Sequence, residues 1–328
     1  MNQSLVRGES GHLGMSKDIV TGGAGFIGSH LVEELISRGH RVVVIDNLVT
    51  GSLTNLDPVL SHENFEFVKG SIVNRSLLHR LFSGADYVFH HAALPSVSRS
   101  VKNPRASHDA NATGTLNVLI AARDRGVKKV IYASSSSVYG DTPILPNTED
   151  MPPKPQSPYA VAKLTGEYYC RVFEKIYGLK TACLRYFNVY GPRQDPNSPY
   201  AAVIPLFLRS TLAGKPPVIF GDGEQSRDFI FVKDVAVANI QAAESRATGV
   251  FNLGNSQRVT INHLAELIIT LVGNKNFKPA YQDPRPGDIR HSLADITRAR
   301  AFGYSPKYSL EQGLKEVLAH MKIKPDHA

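Results

Sequence analysis

The chain is poor in cysteine, in long apolar runs and in clustered charge, and each shortage closes off a class of protein. Cys170 and Cys183 are the only cysteines in 328 residues. Two thiols supply neither a disulfide framework nor a metal cluster, which points to a reducing, cytoplasmic setting. His79, His108, His263 and His291 have no spacing that compels metal binding, so no metal is expected. No apolar stretch reaches the roughly 18 residues of a membrane span. The first fourteen residues are polar and Gly-rich and lack the apolar core of a signal peptide. They read as a disordered leader, with Met15 as a plausible natural start. Internal repeats and low-complexity segments are missing too.

Charge is one-sided but scattered. Lys and Arg number 37 against 29 Asp and Glu, a net +8, without a basic stripe or tail. A nucleic-acid partner is therefore not expected. A basic balance suits a binder of phosphorylated small molecules, and equally a merely solvated surface. The composition, 42% hydrophobic and 20% charged, is that of a soluble globular protein with ample core, in one large domain or two.

What is present is alternation. Short apolar runs at Lys17–Thr21, Arg41–Asp46, Phe65–Lys69, Asp86–His91, Lys129–Ser134 and Leu179–Phe187 read as strands. Helical patterns at Phe26–Arg38, Pro104–Arg125 and Ser157–Tyr177 lie among them. This predicts an α/β fold with a parallel sheet covered on both faces. After Gly191-Pro192 prolines punctuate the chain, and helical patterns recur at Ile204–Ala213, Val232–Ser245, Ile261–Val272 and Ser309–His320. The expectation is a first domain over residues 15–190 and a smaller second one over 191–328, with Phe229–Asn255 able to rejoin the first sheet.

Gly22, Gly25 and Gly28 keep a G-x-x-G-x-x-G spacing between the first strand and the first helix. Glycines there permit a tight turn and close backbone approach to a pyrophosphate at the helix N-terminus. Asp46 ends the next strand, where a carboxylate accepts both ribose hydroxyls and repels a 2′-phosphate, favouring NAD over NADP. The third strand runs into Lys69-Gly70-Ser71-Ile72, so the adenine amino group meets Ser71, a weaker acceptor than a carboxylate.

Tyr159 and Lys163 are four residues apart in a helical pattern that starts at Gln156-Ser157-Pro158. They share a face, and an ammonium near a phenol favours the phenolate. A hydroxyl from the run Ser134-Ser135-Ser136-Ser137 could hold a substrate alcohol against that phenolate. Such a set takes a proton from an alcohol while hydride leaves the same carbon. The spacing alone also fits a solvated helix face.

Taken together and in this order, the motifs resemble the extended short-chain dehydrogenase/reductase family, and within it the nucleotide-sugar 4-epimerases. The resemblance spans residues 17–320 and rests on Thr21–Gly28, His90-His91-Ala92-Ala93, Asn111-Ala112-Thr113-Gly114, Ser134–Gly140 with Tyr159 and Lys163, and Leu184–Pro192. It implies a doubly wound (Rossmann) sheet binding NAD, closed by a smaller C-terminal α/β substrate domain. It implies Ser135, Tyr159 and Lys163 as catalytic residues. Besides the glycines, Asp46 and Ser71, it implies NAD contacts from Phe26, Ile27, Asn47, Ile72, Ala92, Asn111 and Tyr186. For a UDP-sugar it implies Ser96, Ser135, Ser137, Asn188, Gln194, Val203, Arg227, Arg285, Asp288 and Ser292, with the two arginines on phosphate. A homodimer paired through helices near 104–125 and 157–177 is also implied.

The resemblance leaves three chemistries, each beginning with oxidation at C4 of the sugar. The dehydratases carry an Asp-Glu pair after the catalytic hydroxyl, where Ser136 and Ser137 stand here. The decarboxylases carry a Glu at the place of Ser137. A hydroxyl is a poor general acid, so both lose weight and 4-epimerisation is the expected reaction. Ser292 is small where the epimerases limit room at the C2 substituent, so UDP-GlcNAc and UDP-GalNAc are expected alongside UDP-Glc and UDP-Gal. A dehydratase or decarboxylase of the same family, a net oxidoreductase and a catalytically silent NAD-binding regulator are the alternatives.

Overall fold

The computed structural model describes residues 15–198, 201–273, 276–284 and 289–323. The expected leader at residues 1–14 lies outside them, as do Arg285 and Asp288.

Strand β1 (Lys17–Thr21) leads through the glycine turn to helix α1 (Phe26–Ser37) and strand β2 (Arg41–Asp46). Strand β3 (Phe65–Lys69), helix α2 (Arg75–Leu81) and strand β4 (Tyr87–His90) follow. Next come α3 (Val97–Lys102), α4 (Pro104–His108), α5 (Gly114–Asp124), β5 (Lys129–Ser135), α6 (Pro158–Tyr177) and β6 (Lys180–Tyr186). These six strands and Gly249–Leu253 form one seven-stranded sheet, in the order Gly249–Leu253, β6, β5, β4, β1, β2, β3. Every pairing in it is parallel. The α/β doubly wound architecture expected from the alternation is the one observed.

The strands are apolar because both faces are covered. Val20, Val42 and Val44 point into one core with Leu31 and Leu35 of α1 and Val235 and Ile240 of the helix Val232–Glu244. Their neighbours Ile19, Val43 and Ile45 point into the other, with Val118 and Leu119 of α5 and Cys170 and Phe173 of α6. The strand order reverses at β1, so the carboxyl ends of β1 and β4 diverge and leave a crevice between them.

A third core lies beyond the sheet. Ile204 and Phe207 of Val203–Leu212, Leu264 and Ile268 of Ile261–Val272, and Leu314 of Leu310–Ile323 pack on Tyr190, Phe229 and Phe231. Short two-stranded pairings border it, among them Val218–Phe220 with Ala280–Gln282 and Ser226–Arg227 with Val259–Thr260.

Two local features differ from the sequence expectation. Pro104–Arg125 is not one helix: α4 and α5 are separated by a wider π turn at Asp109–Thr113. Asn111 in that turn donates to the Leu94 carbonyl at 3.0 Å and accepts from the Leu94 amide at 2.7 Å. The side chain thus clasps the loop after β4. Helices α2 and α3, whose apolar periodicity is weak, form on caps: Asn74 accepts from Leu77 N and Ser96 from Arg99 N.

Candidate functional site

A cavity of about 450 Å³ occupies the crevice at the carboxyl ends of the strands. Gly22, Gly25, Phe26, Ile27, Gly28, Asp46, Asn47, Ser71, Ile72, Ala92, Tyr159, Lys163 and Tyr186 all line it. The glycines are required by contact. A Cβ on Gly22, which sits at φ +72°, would meet the Ala92 amide at 2.5 Å, and one on Gly28 would meet the Gly22 carbonyl at 2.3 Å. The turn therefore keeps its backbone bare toward the cavity, with the amino end of α1 behind it.

Asp46 is buried at the end of β2 and stitches the turn together. One carboxylate oxygen accepts the Ala24 amide at 3.0 Å and the other the Leu48 amide at 2.8 Å. Each oxygen keeps acceptor capacity for a second donor. Asn111 is the exception among the expected cofactor residues. It does not line the cavity, and its carboxamide is spent on Leu94 and Ser107. Its role is to hold the wall, because Leu94, Ala93 and Ala92 do line it.

Helix α6 brings the reactive side chains to this cavity. Ser157 caps it by accepting the Ala160 amide at 3.1 Å, and Pro158 follows at its first turn. Tyr159 and Lys163 then fall on the buried side, and Lys163 is only 4% exposed. Lys163 Nζ donates to the Ala133 carbonyl at 2.8 Å and lies 5.8 Å from the centre of the Tyr159 ring.

The electrostatics run against the simple expectation that Lys163 brings the phenol toward neutrality. Burial pushes the Tyr159 phenol up to about 12, with the Ser135 hydroxyl pulling it the other way. Burial brings the Lys163 ammonium down to about 8. The ammonium donates to a backbone carbonyl, and the Ser135 hydroxyl, which does favour the phenolate, is outweighed by burial.

Ser135 closes the far side of this set at the end of β5, and its Oγ accepts the Ser137 amide at 3.2 Å. Ser137 Oγ is buried and has no hydrogen-bond partner among the described residues. The serine run hangs on a network that sequence reasoning missed. Ser134 Oγ donates to Glu167 at 2.5 Å, and Arg185 of β6 grips the same carboxylate through Nε at 2.9 Å and Nη2 at 2.7 Å. Glu167 and Arg185 are both 3% exposed. The signal was present: Glu167 stands four residues after Lys163, on the same helix face. His91 was also missed as a lining residue. Its ring stacks on Tyr186, and burial pushes it down to about 3, so it is neutral.

A second cavity of about 300 Å³ lies where Val203–Leu212 meets Val218–Phe220. Asn188, Gln194, Val203 and Arg227 line it, as expected of substrate residues. Asn188 Nδ2 reaches Ser292 Oγ at 3.4 Å, placing Ser292 at its border. Arg227 is joined nearby by Arg258, which donates to Ser226 Oγ at 2.9 Å, and by Arg290. Between them His291 is held below its ordinary range, by burial first and by these three guanidiniums next. The residues Tyr186–Val189 run from the first cavity to the second. Ser96 lines neither; its hydroxyl caps α3, next to Pro95 in the wall of the first cavity.

A parallel sheet wound in this order, with a glycine-lined cavity at its switch point and a Tyr/Lys pair in the wall, defines a dinucleotide-dependent enzyme. Residues 19–254 match the NAD dependent epimerase/dehydratase family, and the chain belongs to it, with NAD as its cofactor. A curated relative, the UDP-glucose 4-epimerase of Mycolicibacterium smegmatis, is 40% identical over 312 residues, covering 94% of this chain and 99% of the relative. A solved UDP-N-acetylglucosamine 4-epimerase from Methanobrevibacter ruminantium, in complex with UDP-N-acetylmuramic acid, superposes with a TM-score of 0.91 at 45% identity. That match covers 94% of this chain and 99% of the other. The UDP-glucose 4-epimerase of Thermotoga maritima with UDP-glucose gives 0.89 at 41% identity, covering 94% and 100%.

Proposed function

We propose that the chain inverts C4 of UDP-hexoses through a transient 4-keto sugar, acting on UDP-GlcNAc and UDP-GalNAc as well as UDP-Glc and UDP-Gal. The observation that carries this reading is the company Tyr159 keeps. It stands with Ser135 and Lys163 and without a carboxylate: of the residues lining the first cavity, only Asp46 and Asp109 are acids. Asp46 stands at the end of β2 beside the glycine turn, where its oxygens accept the Ala24 and Leu48 amides. Dehydration and decarboxylation of these substrates call on an acid near the reacting carbons. Reversible oxidation at one carbon does not.

The residues fit NAD. The bare glycine turn takes the pyrophosphate, Asp46 the ribose hydroxyls, Ser71 and Ile72 the adenine, and Tyr159, Lys163 and Tyr186 the nicotinamide end. NAD supplies the hydride acceptor and, when oxidised, a positive ring. The high position of the Tyr159 phenol in the protein alone makes that added charge significant, since a nearby cation favours the phenolate. Tyr159 then takes the 4′-hydroxyl proton while Ser135 holds the oxygen, and returns it after the keto sugar has turned over. The second cavity holds the nucleotide, with Asn188, Gln194 and Val203 around it and Arg227 on phosphate. Anchoring there lets the sugar rotate without leaving.

The residues beyond 190, apart from those that rejoin the sheet, are the part that closes over the substrate. The protein pairs as a homodimer through α6, whose outer face carries Val161, Tyr168, Val172 and Ile176, 44–66% exposed.

The test is incubation with each of the four UDP-sugars and product identification by NMR. Each should give a mixture of two C4 epimers. A 4-keto-6-deoxy product would overturn the reading in favour of dehydration, and a net rise in free NADH in favour of an oxidoreductase. Ser292→Tyr should remove activity on the acetylated pair and spare the plain pair. Equal loss on both would take Ser292 out of sugar selection.

A further inference from the structure

The loop that leads to Gln194 at the second cavity is held in a conformation an L-residue rarely adopts. Arg193 sits at φ 68°, where its Cβ crowds its own backbone. What holds it there is α1. Arg193 Nη1 donates to Ser29 Oγ at 3.1 Å, and its guanidinium pairs with the Glu33 carboxylate. Between these two, His30 Nε2 lies 3.1 Å from the Pro192 carbonyl. Burial first, then the Arg193 charge, pushes that imidazole down to about 4, so it is neutral and donates its N–H to the carbonyl. Three contacts from one helix thus grip Pro192 and Arg193. The same helix lines the cofactor cavity with Phe26, Ile27 and Gly28.

The next residue shows what the grip is for. Gln194 lines the second cavity. Its amide nitrogen points to the Val189 carbonyl at 3.4 Å, which fixes the oxygen on the other side. That oxygen is buried and has no hydrogen-bond partner among the described residues. A buried acceptor left unmade is costly, and a ligand donor removes the cost.

We propose that Arg193 is a positioning residue: clamped to Glu33 and Ser29 of the cofactor helix, it aims the Gln194 carboxamide oxygen at a hydrogen-bond donor of the bound nucleotide. The inference rests on the reading of the second cavity as the nucleotide site. It ties substrate affinity to the helix that seats the cofactor, through a residue that lines neither of the two cavities.

The experiment is a double-mutant cycle on UDP binding, measured by calorimetry with the NAD-loaded protein. Its members are wild type, Glu33→Ala, Gln194→Met and the double variant. Glu33 is on the helix surface and its truncation spares the fold. Each single change should weaken UDP by roughly tenfold, the worth of one buried hydrogen bond. The double should be no weaker than Gln194→Met alone. Glu33→Ala should also raise KM for the UDP-sugar while leaving kcat and the NAD content in place, a split that general loosening of the fold would not give. UDP affinity unchanged in Glu33→Ala, or losses that add in the double, would overturn the proposal. Failure of the wild type itself to bind UDP would bring down the nucleotide reading together with it.

Discussion

At the scale of single residues, the site holds its two reactive groups away from their ordinary ionisation. Tyr159 is pushed up to about 12 and Lys163 down to about 8, both by burial first. Tyr159→Phe keeps the ring and loses the proton carrier. Turnover should fall by about 10²–10⁴-fold, the usual worth of a positioned acid–base group, while bound NAD is retained. An assay paired with measurement of released cofactor checks both halves. Lys163 carries a cost that can be measured without substrate. Its folded pKa lies below the unfolded value of 10.5, so between about pH 8 and 10.5 the unfolded chain binds more protons. This contribution to stability therefore rises with pH through that window, and below it the penalty is complete. Lys163→Met should raise stability at pH 7 by roughly 1–2 kcal/mol, after allowing for the lost bond to Ala133, and the gain should disappear above pH 10.5. Thermal melts across that range test it; a gain independent of pH would mean burial of the charge is not the cause.

At the scale of elements, β5, β6 and α6 are bolted together by one buried pair. Glu167 and Arg185 are exposed by only 3% each, and Ser134 shares the carboxylate. Arg185 is also packed over the Tyr139 ring at 4.7 Å. Removing one partner leaves a buried charge uncompensated, so Glu167→Ala should cost about 3–5 kcal/mol in denaturant unfolding. Glu167→Met with Arg185→Met should recover much of that. A double variant as unstable as the single would show that packing, and not the stranded guanidinium, sets the loss. The spacing of Glu167 from Lys163 was readable from sequence. Its partner was not, because Arg185 comes from a strand that only the sheet order places beside β5.

At the scale of the whole molecule, the notable surface is apolar. Val161, Tyr168, Val172 and Ile176 recur at helical spacing along α6, and Ile176 is 66% exposed. Val97 and Val101 of α3 are exposed as well, and α3 packs against α6. A monomer rarely leaves such a stripe in water. Ile176→Glu should halve the mass seen by light scattering, and its fold should survive because the side chain faces outward. A native protein that is already monomeric would refute the homodimer. No helix among the described residues is long and apolar enough to cross a membrane.

Sequence alone determined the alternation of strands and helices, the glycine turn, Asp46 and the Tyr159/Lys163 pair. These are local: periodicity fixes which face is buried, and a bare turn must be glycine wherever it meets backbone. The tertiary structure decided how the groups are used. Asn111 clasps the Leu94 loop, a partner seventeen residues away in the chain. Ser96 became a helix cap. Lys163 turned to the Ala133 carbonyl, and burial moved the Tyr159 phenol upward where sequence reasoning sent it down. Desolvation and partner choice depend on what the rest of the chain packs around a side chain, and no spacing along the sequence records that.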